Sequence, residues 1–574
     1  MKVQKIMKSK LFVLLMACCA MSNAVAQSEI APMVTASWNQ STPFNDECPN
    51  GTVAGCGAIA VAQILNYYKK PAHGFGRATY TLGNDVVVDV DFDNQTIDWN
   101  HIRNSYPKGG YSDTEGKTVA NLVYQVGAAM KMKYGSSSSP HNYPSMMWGL
   151  QHHLHFSPKS RYRHRHYYST AEWIEMLNSE LQNGHPVFYR GDHTRPGMSM
   201  AGHMYIIDGR DAKGRYHFNF GHASKNQDKF TDLNIINQGD GIWPGIYSVS
   251  YHHRQAMVTD LYPVDGLTDN DYDHTALVLN SPIVLNRNPY ARTIVVNGSV
   301  QAKFQFRYVS FTGGSCQYSI GFYRDGELKN VSKTICNTKL SDGGYGISVD
   351  RNFAMPDHLA DGDYEMGIIS RDDEKSPWVR GWDNAPNRIP VTVKNNVYTF
   401  YLPNYHTLDT YLYLEGGNIK EVPGITSDGK VLELTVCNPS DNNFEDSLRV
   451  VVTAKGKTLQ YNMVTSIYEG QKITYRFLIS NSEINTDNGY TAEAYYKEVN
   501  TDKWMRLKDK ASDIRAAMPI PFNGVEIYTV GGKLIKRIDK MDIDSSYSQY
   551  LSQLPKGIYI IRDKNSTRKY VKQN

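Results

Sequence analysis

The pattern of apolar and polar positions divides the chain into a mixed region and a strand-rich region. Up to about residue 263, segments with apolar residues at helical spacing are interspersed with shorter alternating segments. From about residue 270 the helical spacing disappears. Apolar and polar residues then alternate between breaks at Gly, Asn, Asp and Pro, which is typical of β-sandwiches. The pattern therefore predicts an α+β region followed by all-β modules.

One predicted helix begins with a cysteine that lies between two glycines. The apolar residues that follow Cys56 at helical spacing are Ala58, Val61, Ala62, Leu65 and Tyr68. Because Pro71 cannot continue a helix, we expect the helix to run from about residue 56 to 69, with Cys56 in its first turn.

The free N–H groups and the helix dipole favour an anion at Cys56, which would lower the pKa of the thiol. Gly55 and Gly57 leave room for another backbone to approach, and the free N–H groups could hold an oxyanion. A structural cysteine is the alternative.

Three further helices are predicted before residue 184. Two of them cover 118–133 and 144–155. The third begins after Ser169, which forms a capping box with Glu172, and it ends near Gly184. A strand follows this glycine.

A cysteine nucleophile needs a base, which is usually an imidazole. The chain has 18 histidines, many of them in the segments 151–156 and 161–166. Their mixed spacing and the lack of nearby carboxylates favour a solvated surface over a metal site there. His203 differs, because it begins a strand that turns at 211–214 and returns to Asn219 and Phe220. We expect Asn219 to orient the His203 imidazole.

Charge and cysteine content restrict the class of protein further. The net charge of +4, from 61 basic and 57 acidic residues, favours neither nucleic acid nor an anionic membrane surface as a partner. Of the seven cysteines, Cys18 and Cys19 lie in a predicted signal peptide, so an odd number remains in the mature chain. Cys316 and Cys336 could bridge neighbouring strands or remain two buried thiols, and both interpretations stay open.

The first 26 residues are typical of a secretory signal peptide. Lysines precede the apolar segment 11–20, which is too short to span a bilayer, and residues 24–26 (AVA) fit a small-x-small cleavage site. We expect the mature chain to begin near Gln27. A lipoprotein signal that ends at Cys18 is the alternative.

The last block, from about residue 517, is predicted to form two short hairpins. Residues 554–559 (LPKGIY) and 569–572 (KYVK) make it similar to the C-terminal sorting domain of the type IX secretion system. One more small β module is the alternative. The resemblance implies passage through an outer-membrane secretion machinery and a secreted or cell-surface location.

Several segments of the mixed region resemble, in the same order, the streptopain-type cysteine peptidases, which have a papain-like fold. The chain has AGCGAIAVAQILNYYKKP where the family has roughly TGCVATAxAQIMxYxxxP, and GHMYIIDGRD…YHFNFGHAS for GHAFVIDGYD…FHxNWGWGG. The segments 38–49, 173–191 and 251–263 also resemble family segments, so the resemblance covers about 35–263.

The resemblance implies a role for each matching residue. Cys56 would be the nucleophile and His203 the general base. The Gln40 side-chain amide would complete an oxyanion hole with the Cys56 backbone N–H. Asn219 and Phe220 would support the histidine. We expect Asp208 to be a structural carboxylate at the strand end, and we assign no chemistry to Cys48.

Departures from the family motifs affect rate and specificity more than mechanism. Phe220 replaces a Trp and shields the imidazole over a smaller area, and Gly57 replaces a Val beside the nucleophile. His222 stands at a second Trp position, where it could compete for the thiolate or change the substrate groove. The stretch between the predicted signal and Cys56 is too short for an inhibitory pro-domain. We therefore expect restraint from the C-terminal modules or from a separate inhibitor protein.

The predicted organisation follows from these observations. A signal peptide (1–26) precedes a papain-like cysteine peptidase domain (27–263), a β-sandwich module (270–395), a second, Ig-like β-sandwich module (396–512) and a sorting domain (517–574). The predicted function is that of a secreted or surface endopeptidase acting on proteins and peptides, with no metal, no cofactor and no nucleic acid. A surface adhesin with a weak or inactive catalytic unit and a cysteine-dependent acyl transferase are the alternatives.

Overall fold

The structure is a computed structural model that describes most of the chain beyond residue 28. The described residues are 29–83, 85–193, 201–223, 229–233, 251–273, 275–288, 293–342, 346–382, 387–402, 412–423, 429–440, 442–498, 502–508, 524–529, 534–539, 557–563 and 567–572. The predicted signal peptide lies outside them. No helix in this part of the chain has both the length and the apolar composition needed to cross a bilayer.

The α-helices of the described residues all lie before residue 183. They are α1 (Cys56–Tyr68), α2 (Asp113–Ala129), α3 (Tyr143–Leu154) and α4 (Thr170–Gln182). Helix α1 begins at the cysteine, as predicted, and ends at a left-handed Lys69. Helix α2 begins earlier than predicted because Ser112 and Glu115 form a capping box. The predicted capping box of Ser169 and Glu172 is present at the start of α4.

The described strands of this α+β region form one main sheet and two small pairs. The strands are β1 (Arg77–Thr81), β2 (Val87–Asp91), β3 (Met132–Lys133), β4 (Ser139–Pro140), β5 (Arg161–His164), β6 (Val187–His193), β7 (Ala201–Arg210), β8 (Tyr216–Asn219), β9 (Lys229–Thr231) and β10 (His253–Thr259). The main sheet has the order β5-β10-β6-β7-β8-β9, and β1 pairs with β2 and β3 with β4. The predicted hairpin is β7 and β8, so the strand that begins near His203 lies in the middle of this sheet.

Helix α1 lies at the centre of the largest apolar core. All its residues from Gly57 to Asn66 are buried, and Met204 and Ile206 of β7 belong to the same core. The other face of the sheet packs on α4 through Trp173, Leu177 and their neighbours. The first turn of α1 and the first residues of β7 are therefore held against each other by apolar packing.

A first β unit, here residues 276–402, consists of two antiparallel sheets around one core. Its strands are β11 (Ala276–Leu279), β12 (Val284–Leu285), β13 (Thr293–Asn297), β14 (Ser299–Val309), β15 (Gly314–Arg324), β16 (Glu327–Val331), β17 (Cys336–Leu340), β18 (Ile347–Ala354), β19 (Gly362–Arg371), β20 (Val379–Arg380), β21 (Ile389–Lys394) and β22 (Val397–Tyr401). The border predicted at residue 395 is wrong, because it cuts the hairpin of β21 and β22. Tyr398 and Phe400 of β22 are buried in the core of the first unit, so the unit continues to about residue 402.

A second β unit, here residues 412–508, also has two antiparallel sheets and its own core. Its strands are β23 (Tyr413–Leu414), β24 (Lys420–Val422), β25 (Gly429–Cys437), β26 (Phe444–Ala454), β27 (Lys457–Ile467), β28 (Lys472–Ser480), β29 (Thr491–Lys497) and β30 (Trp504–Arg506). The remaining strands, β31 (Gly524–Thr529), β32 (Leu534–Asp539), β33 (Gly557–Asp563) and β34 (Thr567–Lys572), form a four-stranded sheet in the order β32-β31-β33-β34. Both predicted C-terminal hairpins are present in this sheet.

Cys316 and Cys336 lie on the paired strands β15 and β17 of the first unit. Cys316 is opposite Thr338 and Cys336 is opposite Tyr318, so the two cysteines are diagonal neighbours. Both are buried free thiols, which decides between the two interpretations left open by the sequence. A diagonal pair is wider than the usual disulfide span, so the strand register explains the missing bridge.

Candidate active site

Cys56 occupies the first position of α1, between two glycines that contact the surrounding chain closely. Gly55 has a φ of +92°, and a Cβ on it would lie 2.9 Å from the Ser138 carbonyl oxygen. A Cβ on Gly57 would lie 2.8 Å from the Met204 sulfur. Side chains at these positions would push α1 away from its neighbours, so the close approach expected from the sequence is present.

The backbone of β7 brings His203 to the same place. The Met204 N–H donates a hydrogen bond to the Cys56 Sγ over 3.4 Å. Because Met204 directly follows His203, this contact places the sulfur beside the start of the strand that carries the imidazole. The residues that lie 147 positions apart in the sequence are thus brought together by the packing of α1 on β7.

The His203 ring is oriented by the backbone of Phe220. Its Nε2 lies 2.9 Å from the Phe220 carbonyl oxygen. A carbonyl only accepts, so Nε2 must carry the proton, and Nδ1 keeps a lone pair in the neutral ring. His222 stacks on the same ring with centroids 4.8 Å apart and planes 6° apart, and Tyr251 lies at 5.3 Å. His222 therefore covers a face of the imidazole, whereas the sequence suggested a competitor for the thiolate or a groove residue.

Asn219 does not take the orienting role that we expected. Its Nδ2 donates to the Ala36 carbonyl (2.8 Å) and to Gln63 Oε1 (3.3 Å), and its Oδ1 accepts from the Gly221 N–H (3.0 Å). The side chain points from the end of β8 toward α1, so the next residue's carbonyl contacts the imidazole instead. Asn219 supports the site indirectly, by joining α1 to the turn that follows Phe220.

Gln40 and Asp208 are the other residues named from the sequence. The Gln40 carbonyl accepts from the Ala54 N–H over 3.1 Å, so its loop lies beside the segment that leads into Cys56. Asp208 is fully buried and accepts from the Val34 N–H (2.7 Å), and its other oxygen lies 2.6 Å from His217 Nδ1. The prediction that Asp208 is a structural carboxylate is confirmed.

Burial keeps both members of the pair neutral. It raises the pKa of the Cys56 thiol, and the weaker opposing effects are the N–H groups of Met204 and Gly57 and the charge of Arg190. Burial, together with the smaller effect of the neighbouring His222, lowers the pKa of His203 to about 3. Desolvation at the sulfur is therefore a larger effect than the first-turn N–H groups, and burial favours the neutral form of both groups.

The region around the site is similar to known proteins. The model of the family described as Peptidase C10 family matches residues 38–230. Interpain A of Prevotella intermedia, a cysteine protease of solved structure, is 30% identical in sequence; the match covers 95% of that chain and 41% of this one, with a TM-score of 0.37. This chain belongs to the peptidase C10 family.

Two curated relatives are similar over different lengths of this C10 chain. The thiol protease/hemagglutinin PrtT of Porphyromonas gingivalis is 27% identical over 420 residues, which is 71% of this chain and 45% of PrtT. Streptopain of Streptococcus pyogenes is 26% identical over 221 residues, which is 35% of this chain and 54% of streptopain. The chain spans about half the length of these relatives. The predicted resemblance to streptopain-type cysteine peptidases is confirmed.

Of the two histidine-rich segments of this C10 chain, the histidines of 151–156 are buried and those of 161–166 are half-buried, so the solvated surface predicted for them is wrong. His152, His153 and His155 of α3 and its cap are buried. They stack on Trp148, Phe92 and Phe75 at 4.1, 4.7 and 3.7 Å. Burial lowers the pKa of His153 and His155 to about 4, so they act as neutral aromatic rings. Within the described residues no group of three or more His, Cys, Asp or Glu could hold a metal ion.

Sequence reasoning missed two residues that hold the C10 site together. Gln63 of α1 is fully buried, accepts from the Trp38 N–H (3.4 Å) and contacts Asn219, so it joins the Gln40 loop to β8. A polar residue within an otherwise apolar helix was the available signal. Tyr251 packs on the His203 ring from a distant segment, and its signal in the sequence was the resemblance of segment 251–263 to the family.

Proposed function

We propose that the chain is an exported cysteine endopeptidase that hydrolyses peptide bonds through an acyl-enzyme on Cys56. The observation that carries the proposal is the hydrogen bond from the Met204 N–H to Sγ, because it puts the thiol beside His203. The Phe220 carbonyl holds Nε2–H, so Nδ1 is the ring nitrogen with a lone pair for the thiol proton.

The reaction would proceed in two half-reactions. As Sγ attacks the substrate carbonyl carbon, His203 Nδ1 takes the thiol proton, and the oxyanion is stabilised by the Cys56 N–H and the Gln40 side-chain amide. When the tetrahedral intermediate collapses, Nδ1 gives the proton to the leaving amine and a thioester remains on Cys56. Water then loses a proton to Nδ1 and attacks the thioester, which releases the acid and restores the thiol.

The neutral resting pair fits this sequence of proton transfers. A buried imidazole with a lowered pKa gives up its proton readily to the amine, and a buried thiol loses its proton only as the new bond forms. The Phe220 carbonyl would stabilise the transient imidazolium by accepting from Nε2–H. Asn219 would keep that carbonyl in place through Gly221 and α1.

We further infer that the protein is secreted or held at the outer cell surface. The N-terminal signal pattern and the similarity of residues 517–574 to a type IX sorting domain support export through an outer-membrane machinery. The two antiparallel sheets of each β unit support an Ig-like assignment for them. The substrates would be proteins or peptides, and a separate inhibitor protein would restrain the enzyme. Fusing residues 517–574 to a reporter in a type IX-competent host tests export, and a reporter that stays in the periplasm would refute it.

The catalytic proposal is tested with the purified chain and two matched variants. Wild type and Cys56→Ala are compared on a fluorogenic peptide library, and Cys48→Ala, which removes another buried free thiol, is the control. We expect cleavage by wild type and Cys48→Ala and none by Cys56→Ala. An epoxide that traps activated cysteines should label Cys56. If Cys56 reacts no faster than an ordinary thiol and no peptide is cleaved, the peptidase proposal fails and a binding protein remains.

A further inference from the structure

We infer that the two β units hold active-site residues in position. The first unit positions residues 130–140, which pack beside Cys56, and the second unit positions β10 and the residues before it, which pack beside His203. The inference rests on the proposed function, since it concerns the alignment of the same two residues. The match to interpain A of Prevotella intermedia, a cysteine protease, covers 41% of this chain. The inference therefore concerns contacts of this chain and not a requirement of the fold.

The first β unit is fastened to the α+β region through Phe311 and Asp342. The Lys131 Nζ lies 2.7 Å from Asp342 Oδ2 and 4.9 Å from the centre of the Phe311 ring. His141 Nε2 lies 3.2 Å from the same carboxylate. Asn142 Nδ2 donates to the Asp342 carbonyl over 3.1 Å. Phe311 is itself buried in the core that contains α1.

The segment held by Asp342 packs beside Cys56. Together with Met204, residues 130–140 supply the atoms nearest to the glycines on each side of Cys56. A Cβ on Gly57 would lie 3.0 Å from Met130 Cε, and a Cβ on Gly55 would lie 2.3 Å from Met132 Cε. The Asp342 contacts on Lys131, His141 and Asn142 lie next to these residues in the chain. A shift of Asp342 would therefore move the segment against which the first turn of α1 packs.

The second β unit is fastened to β10 and the residues before it through the end of β27. His252 Nε2 lies 2.9 Å from Thr465 Oγ1, and His253 Nδ1 lies 2.8 Å from Ser466 Oγ. The Gln255 N–H donates to Tyr468 Oη over 2.9 Å. All of these residues are buried, with Tyr468 fully enclosed. Buried polar contacts of this kind have few alternative partners, so they specify one position of the unit against the sheet.

Gln255 connects the contact with Tyr468 to His203 through Tyr251. Its Oε1 accepts from Tyr189 Oη over 2.8 Å, and its Nε2 lies 3.0 Å from the Leu233 carbonyl and 3.5 Å from the Tyr251 carbonyl. The Tyr251 ring packs on His203 at 5.3 Å. Tyr468 is thus joined to the imidazole by Gln255 and Tyr251.

The Tyr251 backbone is tightly fitted as well. Gly191 is opposite His203 in the register of β6 and β7, and a Cβ on Gly191 would lie 2.1 Å from the Tyr251 oxygen. The carbonyl therefore cannot move toward β6 without a clash, and a displaced Gln255 would shift Tyr251 against the imidazole. Misplacing a catalytic group by about 1 Å can reduce turnover by about 100-fold. Tyr468 and Asp342 are positioning residues in this inference.

The test uses the full chain and one variant in each interface. Tyr468→Phe removes the acceptor of the Gln255 N–H, and Asp342→Ala removes the carboxylate that holds Lys131. The matched controls are Tyr461→Phe, whose hydroxyl contacts exposed Glu483 in the second unit, and Asp357→Ala, which pairs with exposed Lys333 in the first unit. Folding is followed by near-UV circular dichroism, and kcat and KM are measured on one peptide.

We expect Tyr468→Phe and Asp342→Ala to lower kcat about tenfold or more with KM within about twofold, because alignment is lost and substrate binding is not. The controls should keep both constants. Loss of kcat at only one interface would overturn the shared role. If both variants fold and match their controls, the whole inference is wrong.

The inference about the second unit can still be tested if the first variant does not fold. If Tyr468→Phe does not fold, Thr465→Val tests the same interface by removing the partner of His252, and an unchanged kcat there would count against the second unit. The outcome is separate from the proposed function, which fails when wild type itself cleaves nothing and Cys56 is unreactive.

Discussion

Acidification is predicted to destabilise the fold through His203. Burial lowers the pKa of this ring from 6.5 to about 3. The folded state therefore favours the neutral form, and the unfolded chain takes up a proton first as the pH falls. The contribution of His203 to stability is complete above pH 6.5 and is lost progressively as the pH falls toward 3.

The size of this effect follows from the same two values. At pH 5 nearly all the unfolded chain carries a proton on this histidine and the folded chain does not, which is worth about 2 kcal/mol. At pH 3 the loss would be about 4 kcal/mol, and only below pH 3 would it approach its limit of about 5 kcal/mol. His153 and His164, whose pKa values burial lowers to about 4 and about 3, act in the same direction. A variant is needed to isolate His203.

The assay is urea unfolding of wild type and His203→Asn at pH 7.5 and at pH 5. Wild type should lose about 2 kcal/mol more than the variant between the two pH values, because Asn does not titrate. The absolute stability of the variant does not matter, since only the change with pH is compared. Equal losses in the two proteins would show that His203 is not held neutral by burial, and the description of the resting pair would be wrong.

Three further predictions concern single sites. Asp208→Asn should lower the urea unfolding free energy by about 1–3 kcal/mol, because the buried carboxylate accepts two hydrogen bonds that an amide cannot both accept; an unchanged midpoint would contradict its structural role. Gly57→Ala should cost about 1–3 kcal/mol in the same assay through the close approach to Met204, and less in a Met204→Ala background; equal costs in both backgrounds would refute that cause. Cys316 and Cys336 should both be alkylated when the unreduced chain is unfolded and examined by mass spectrometry, and a disulfide-linked peptide would contradict the described register.

Local patterns were sufficient for the elements that carry the site. The start of α1 at Cys56, the capping box of Ser169 and the hairpin that begins near His203 were all predicted. Each depends on residues close together in the chain, such as the period of apolar positions or a side chain that caps its own helix. The structural role of Asp208 followed in the same way from its place at the end of a strand.

The same patterns failed where the outcome depended on distant neighbours. Asn219 turned toward α1 because Ala36 and Gln63 were there to accept its amide, so the Phe220 carbonyl became the partner of the imidazole. The border at 395 cut the hairpin of β21 and β22, and what assigns that hairpin to the first unit is the pairing of β22 with β13, about a hundred residues away. Neither partner is visible in a local window of sequence.

The amino-acid sequence by itself determined which residues of this protein could do chemistry and on which elements they lie. Only the tertiary structure decided which protonation state is favoured, how the side chains are oriented and which neighbouring residues hold them in position. The N-terminus of a helix alone would favour a thiolate at Cys56. The packing around the sulfur excludes water from it, however, and this desolvation raises the pKa of the thiol by more than the N–H groups lower it. Desolvation is a property of everything packed around a group, and most of that comes from elsewhere in the chain.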